Sequence, residues 1–404
     1  FYMFDSANED VLSLPSVFTH SLGSVLSSIS NILCNAFQIS PTWIVCIDEA
    51  EFLDECYQKC INTAFRSDTN RIAFKMATLP FYHVTKHTLD DSIDVMDGQD
   101  FKYTFVDMKY DSIDFIKLTN SLVKTRFNSE TIDFQKLEDF VETIGSDYYI
   151  DYYLNEFKKV SVESIESMIC NQLSETSKAH NSTKERYQIR KSVFDKLAPI
   201  FYLREVYKNR RGRYIPEWYA GAAMIRRVAQ GNPRIFIRIM NELYNEAKGN
   251  PLPLCLKKQS KVIMEFSDSF CNETQSLEQT GPEAKKHLEN IAETLHNHTH
   301  GNQIVQSGVS FKLKENTNLS KHKLWIEKAI AFSRLMIDEN SLRTEISPDT
   351  TFHLANIYAV KYWLPMRTNA SPLKLDLQKK VQPVYYVSYS RMANTNKSHI
   401  QSEQ

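Results

Sequence analysis

Between Val11 and Phe37 apolar residues recur at helical spacing (Val17, Leu22, Val25, Leu26, Ile29, Ile32, Leu33, Phe37), and Ser40-Pro41 stops the pattern. The next segment, Trp43-Ile44-Val45-Cys46-Ile47, is a short continuous apolar run. Such a run predicts a strand buried on both faces of a parallel sheet. A helix over about 51–65 follows, then a second apolar run at Ile72–Leu79 and a third at Phe101–Val106. Strands alternating with helices predict the α/β class, here one doubly wound sheet.

After about residue 110 the strand signal fades. Ser112–Phe127, Phe134–Ile144, Ser192–Tyr207 and Pro216–Gln230 read as amphipathic helices, so the middle third is expected to be mostly helical. Residues 171–187 are polar and low in apolar content and read as an exposed connection. Beyond Gly249-Asn250-Pro251 a smaller mixed region is expected: a helix near 282–296, a polar turn, extended runs around 303–313, a helix at 322–337 and a strand near 351–359. From about residue 390 the chain reads as a polar tail.

Composition narrows the classes. A chain of 404 residues with 42% hydrophobic and 24% charged residues excludes collagen-like and coiled-coil proteins. No apolar run reaches the roughly 18–20 residues that span a bilayer, so no membrane partner is expected. Seven cysteines without a C-x-x-C pair argue against a disulfide framework or zinc ribbon and point to a reducing, cytoplasmic setting. With only 10 glycines there are few candidate phosphate-binding loops, and no G-x-x-x-x-G-K-[ST] occurs. The chain opens Phe1-Tyr2-Met3-Phe4, without an initiator methionine or a signal-peptide layout, and reads as a fragment.

The formal charge of −1 conceals segregation. Residues 1–183 carry 14 Lys/Arg against 28 Asp/Glu, and residues 184–249 carry 15 against 6. The basic middle suits a polyanion or an acidic neighbour, as well as a solvated helix face.

Three motifs carry candidate chemistry. The strand Trp43–Ile47 ends in Asp48-Glu49, and ligands of open parallel sheets lie beyond the carboxyl ends of the strands. There Asp48 can hold the water shell of Mg²⁺ and Glu49 can orient or deprotonate an attacking water. Equally, two acids can begin a helix whose dipole favours them. The second motif, Phe74–Pro80, brings Thr78 to the end of its strand, where a hydroxyl can meet a γ-phosphate or bond its own backbone. The third is Gly231-Asn232-Pro233-Arg234, in which Asn232 is a good N-cap and Pro233 suits the first helical position. Arg234 then falls in the first turn, against the helix dipole, a placement that a phosphate or a salt bridge would explain.

Together the acid pair Asp48-Glu49, Thr78 and the Gly-Asn-Pro-Arg run, spread over about 43–250, resemble the AAA+ ATPases. Within them the likeness is to the bacterial branch similar to the origin-recognition and replication-initiator type. The resemblance implies a Walker B pair at Asp48-Glu49, a sensor-one residue at Thr78 and a sensor-two arginine at Arg234, with ATP and Mg²⁺ as cofactors. Asp48 would hold the metal through water and Glu49 would align the nucleophile. It further implies a truncated P-loop parallel-sheet domain over 1–110, an α-helical lid over 111–250 and a winged-helix-like domain over 251–367. A C-terminal extension over 368–404 completes this division. DNA, a second copy of the chain, or a replication or defence assembly are the implied partners.

Two departures qualify the match. The family's Walker A loop would lie upstream of Phe1, so this chain alone is expected to bind ATP poorly, and the alternative is a non-catalytic DNA-binding or scaffolding protein with an ATPase-like shell. The stretch Asp90–Asp100 holds no arginine finger, for which Arg66 and Arg71 are the nearest substitutes. Arg210, Arg211 and Arg213, with Arg226-Arg227, could neutralise nucleic-acid phosphates, or simply line a solvated turn. On 322–337, Leu324, Ile326, Ile330, Leu335 and Ile337 are expected to pack inward, leaving Lys321, His322, Lys323, Lys328 and Arg334 for solvent or phosphate, as suits a recognition helix. His296, His298 and His300 are read as part of a polar turn, and Cys56 and Cys60 as core residues.

Overall fold

Alternation of buried and exposed positions, rather than continuous burial, defines the first sheet. The computed structural model describes residues 22–66, 72–143, 217–301, 307–337, 349–367 and 372–377 apart from 105, 107, 129–132 and 316, together with 200, 203, 204, 206–208, 346 and 347. The chain divides into two compact units, Phe1–Val106 with Arg343–Glu345, and Asp107–Leu342 with Ile346–Gln404.

In the first unit α1 (Leu22–Phe37) leads to β1 (Trp43–Ile47), and α2 (Glu55–Arg66) leads to β2 (Ile72–Met76). The strands pair in parallel, with Trp43 opposite Ile72 and Ile47 opposite Met76. Trp43, Val45 and Ile47 are half-buried while Ile44 and Cys46 are exposed, and β2 alternates in the same phase. The expectation of burial on both faces is therefore corrected. Both helices lie on one face: Trp43 Nε1 donates to Cys34 Sγ of α1 at 3.5 Å, and Phe65 of α2 meets Phe74 of β2 with ring centres 5.4 Å apart. Among the described residues no second helical layer covers Ile44 and Cys46, so those positions keep their exposure. A run of five apolar residues cannot tell one-sided from two-sided burial.

The third expected strand is also corrected. Among the described residues of 101–106, Phe101 makes only an isolated bridge to Asp97. Here the chain is held by side chains instead: the Phe101 ring meets Tyr103 at 4.9 Å, and Asn62 of α2 donates to the carbonyls of Thr85 and His87. Two residues placed in the core lie outside it or at its edge, Cys56 being exposed and Cys60 half-buried.

The second unit is built on helices. α3 (Ile113–Arg126), the single turn α4 (Leu137–Phe140), α5 (Ala222–Ala229), α6 (Pro233–Ala247) and α7 (Leu256–Glu273) precede α8 (Gly281–His300). Phe115, Leu137, Phe140 and Phe236 are fully buried among them. Burying an aromatic or aliphatic side chain of this size stabilises by about 1.5–3 kcal/mol. Not anticipated from the sequence, α7 is the hub. Its Gln259 accepts from Gly221 N at 2.7 Å and donates to Leu254 O, and its Ser267 donates to Ile357 O at 2.5 Å.

A four-stranded sheet follows, in the order β4-β5-β3-β6, from β3 (Ser310–Leu313), β4 (Leu335–Ile337), β5 (Phe352–Leu354) and β6 (Leu373–Leu375). β3–β5 and β4–β5 are antiparallel and β3–β6 is parallel. α9 (Leu319–Ala331) lies between β3 and β4 in sequence, and α10 (Asn356–Lys361) follows β5. The expected helix over 322–337 thus ends at Ala331, where Phe332 closes it and Ser333, at φ 57°, turns the chain into β4. The strand expected near 351–359 is likewise shorter, since its second half is α10. Three polarity assignments reverse with these boundaries. Leu324 is 49% exposed, whereas His322 and Arg334 are buried. The Arg334 guanidinium lies 3.6 Å from the Phe270 ring centre and donates to Phe332 O at 2.7 Å, which compensates its burial.

Candidate functional site

The ladder between β1 and β2 does not stop at the strand ends. Ala77 N donates to Ile47 O at 2.8 Å, and Ala50 N donates to Ala77 O at 3.0 Å. These bonds carry the parallel register one step further, so Asp48-Glu49 and Thr78 emerge side by side at the carboxyl edge of the sheet. That edge is where parallel sheets present ligand-binding groups.

At the edge the backbone departs from ordinary geometry. Glu49 adopts φ 53° and ψ 40° at the head of a short turn of 3-10 helix, Ala50–Phe52. A non-glycine residue in this region carries roughly 1–2 kcal/mol of strain. The Asp48 carboxylate accepts from Glu49 N at 2.9 Å and so braces the bend. Both acidic residues are exposed. Thr78 is half-buried, and its hydroxyl makes only a long bond, 3.5 Å, to Leu79 O. A pair of solvent-facing carboxylates with a weakly engaged hydroxyl beside them suits a hydrated divalent cation and an oxyanion.

Arg234 belongs to the second unit. Asn232 caps α6 as its sequence predicts, its Oδ1 accepting from Arg234 N at 2.9 Å and Ile235 N at 3.2 Å, with Pro233 in the first turn. The Asn232 amide also donates to Ser333 Oγ at 3.1 Å, which fixes the start of α6 against the segment entering β4. The Arg234 side chain is exposed, and it forms no ion pair with another described residue of its unit.

Gly231 is the residue that sequence reasoning passed over at this corner. Gln230 at φ 53° and Gly231 at φ 77° turn α5 sharply into α6. A Cβ on Gly231 would lie 1.7 Å from the Met108 carbonyl oxygen. Gly231→Ala is therefore expected to destabilise the second unit by about 3 kcal/mol or more, through backbone strain together with a clash against main chain. A chemical-denaturation midpoint equal to that of the wild type would refute this.

The remaining candidates resolve differently. Arg210, Arg211, Arg213 and Arg71 lie outside the described residues, and the expectation of a phosphate contact at Arg226 is corrected, since that side chain is buried against Glu138. Arg66 is engaged, its NH1 donating to Asp94 O at 2.6 Å and its Nε lying 3.7 Å from the Asp100 carboxylate. His296, His298 and His300 sit on the last turns of α8 and not in a turn. His296 Nδ1 bonds Tyr362 O at 2.7 Å, and His300 Nε2 bonds Trp363 O at 2.8 Å, so these rings join α8 to the end of α10.

No helix among the described residues is long and apolar enough to cross a membrane. A family model described as ORC-CDC6-like matches residues 2–375. No curated protein and no solved structure matches the chain.

Proposed function

The chain belongs to the ORC-CDC6-like family, and from that premise we propose that it is an AAA+ ATPase-type molecular switch acting on DNA or on a protein partner. The observation that carries the reading is the carboxyl edge of β1 and β2, where the strained Glu49, the neighbouring Asp48 and Thr78 are held side by side by the extended ladder. The donor set fits Mg²⁺ and a nucleoside triphosphate: carboxylates suit a hydrated hard cation, and a hydroxyl suits a phosphate oxygen.

Asp48 is assigned to the metal through water. Glu49 orients the attacking water and accepts its proton, and the left-handed turn presents its carboxylate beyond the strand end. Thr78 hydrogen-bonds the terminal phosphate. Bound Mg²⁺ supplies neutralisation of the charge that develops on the phosphoryl oxygens. Arg234, at the positively polarised start of α6, is assigned to phosphate recognition, as its place in the Gly-Asn-Pro-Arg run implies. Arg210, Arg211 and Arg213 supply the salt-dependent contact if DNA is the target. Assembly with further copies of the chain belongs to the same reading.

Glu49→Gln in the intact protein is the decisive test. ATP turnover is expected to fall about 100-fold or more, with nucleotide binding retained, because the amide keeps the size of the side chain and loses the base. Unchanged turnover would remove Glu49 from its role. Absence of turnover in the wild type would favour a non-catalytic scaffold, the reading supported by the lack of a G-x-x-x-x-G-K-[ST] motif in these 404 residues.

A further inference from the structure

Glu283 and His287 lie one turn apart on α8, and His322 approaches them from α9. One potential ligand atom from each falls within 4.8 Å of the others. The His287 ring is poorly satisfied for a side chain only 12% exposed: its Nδ1 is buried with no hydrogen-bond partner among the described residues, and its Nε2 stands 3.7 Å from the Glu283 carboxylate. The two imidazoles meet edge to face with ring centres 5.0 Å apart, and Trp325 stacks on His287 at 4.9 Å.

We propose that Glu283, His287 and His322 form a zinc site that staples α8 to α9. Two imidazoles and one carboxylate, with water in the fourth position, make a common tetrahedral donor set for Zn²⁺. Mg²⁺ and Ca²⁺ would require more oxygen ligands than this cluster offers. The Glu-x-x-x-His spacing puts two donors on one helical face, and the exposed Glu283 side chain is free to close the remaining distance. Burial disfavours the charged form of both rings, and His322 adds to this at His287, which suits ligands that bind as neutral imidazoles. Trp325 Nε1 donates to His322 Nδ1 at 3.0 Å in the metal-free protein. Ligation through either nitrogen of His322 makes the indole release that bond, so one neutral hydrogen bond is exchanged for a metal ligand.

The test is titration of the purified 404-residue chain with Zn²⁺ in competition with a chromophoric chelator, and with Co²⁺ as a spectroscopic stand-in. One Zn²⁺ per chain and the intense visible bands of tetrahedral cobalt are expected. His287→Gln should weaken zinc about 100-fold, and Glu283→Gln about 10-fold or more. Because Glu283 is exposed, its substitution leaves folding intact and keeps the test informative even if the His287 variant misfolds. His87→Gln, at an exposed histidine of the other unit, should change nothing. Affinity unaltered by Glu283→Gln and His287→Gln, or octahedral cobalt spectra, would overturn the proposal.

Discussion

Replacing Arg226 by alanine is expected to lower the stability of the second unit by about 3–5 kcal/mol, the range for removing one partner of a buried ion pair. The side chain is 7% exposed, and every edge of its guanidinium is used. Nε donates to Thr119 Oγ1 at 3.0 Å, one terminal nitrogen to Glu138 at 2.8 Å and the other to Asn120 Oδ1 at 2.9 Å. Through these three bonds one residue of α5 ties down both α3 and α4. Burial alone would raise the Glu138 carboxyl, but the hydrogen bond and charge of Arg226, with a backbone hydrogen bond and Lys136, together outweigh it and hold the group below its usual range. Alanine therefore strands a half-buried carboxylate, while Thr119 keeps its bond to Ile116 O and Asn120 its bond from Leu137 N. The double variant Arg226→Met/Glu138→Gln should recover part of the loss, because the uncompensated charge is then gone. Equal chemical-denaturation midpoints for wild type and Arg226→Ala would contradict the account.

The second large effect is on pH. His300 is fully buried, and burial, reinforced by the neighbouring His296, lowers its pKa from 6.5 to about 3. Above pH 6.5 the ring is neutral whether the chain is folded or not, and it contributes no pH dependence. As the pH falls below 6.5 the unfolded chain takes up a proton that the folded chain refuses. Stability then drops by about 1.4 kcal/mol per pH unit, approaching about 5 kcal/mol near pH 3. The loss is thus confined to the window between 6.5 and about 3. His300→Gln should remove about one proton from the slope of stability against pH between 6 and 4, even if it lowers stability overall. A slope unaffected by the substitution would show that His300 is protonated in the folded protein.

What the sequence revealed depended on the range of the signal. The capping of α6 by Asn232 and Pro233 was legible because it is local, three residues and a backbone preference. The parallel pairing of β1 with β2 was legible as alternation of strand and helix, and with it the shared edge of Asp48, Glu49 and Thr78. Whether Ile44 and Cys46 would be covered depended on layers far away in sequence, and five residues hold no record of that. α7 was hidden because Gln259, Ser260 and Ser267 interrupt its apolar face, and these polar groups are buried by bonding distant backbone. Leu335 and Ile337 continue the helical spacing of α9, so only the left-handed Ser333 marks the change to β4. The Glu283–His287 spacing was readable on α8, whereas its third member, His322, is supplied by tertiary folding. Arg234 is a different case: the sequence assigns it a helix start, which the structure has, and a phosphate, which only the chemistry can supply.

On the catalytic role proposed for Glu49, its bend sets folding and chemistry against each other. Glycine is the residue that this conformation tolerates best, and asparagine the next best. Drift under selection for stability alone would carry position 49 toward those two and away from an acid. A lineage that gave up hydrolysis while keeping the scaffold would be released from that tension. On the proposed role of Glu49, position 49 is a natural marker for sorting relatives into those that turn over nucleotide and those that have become passive.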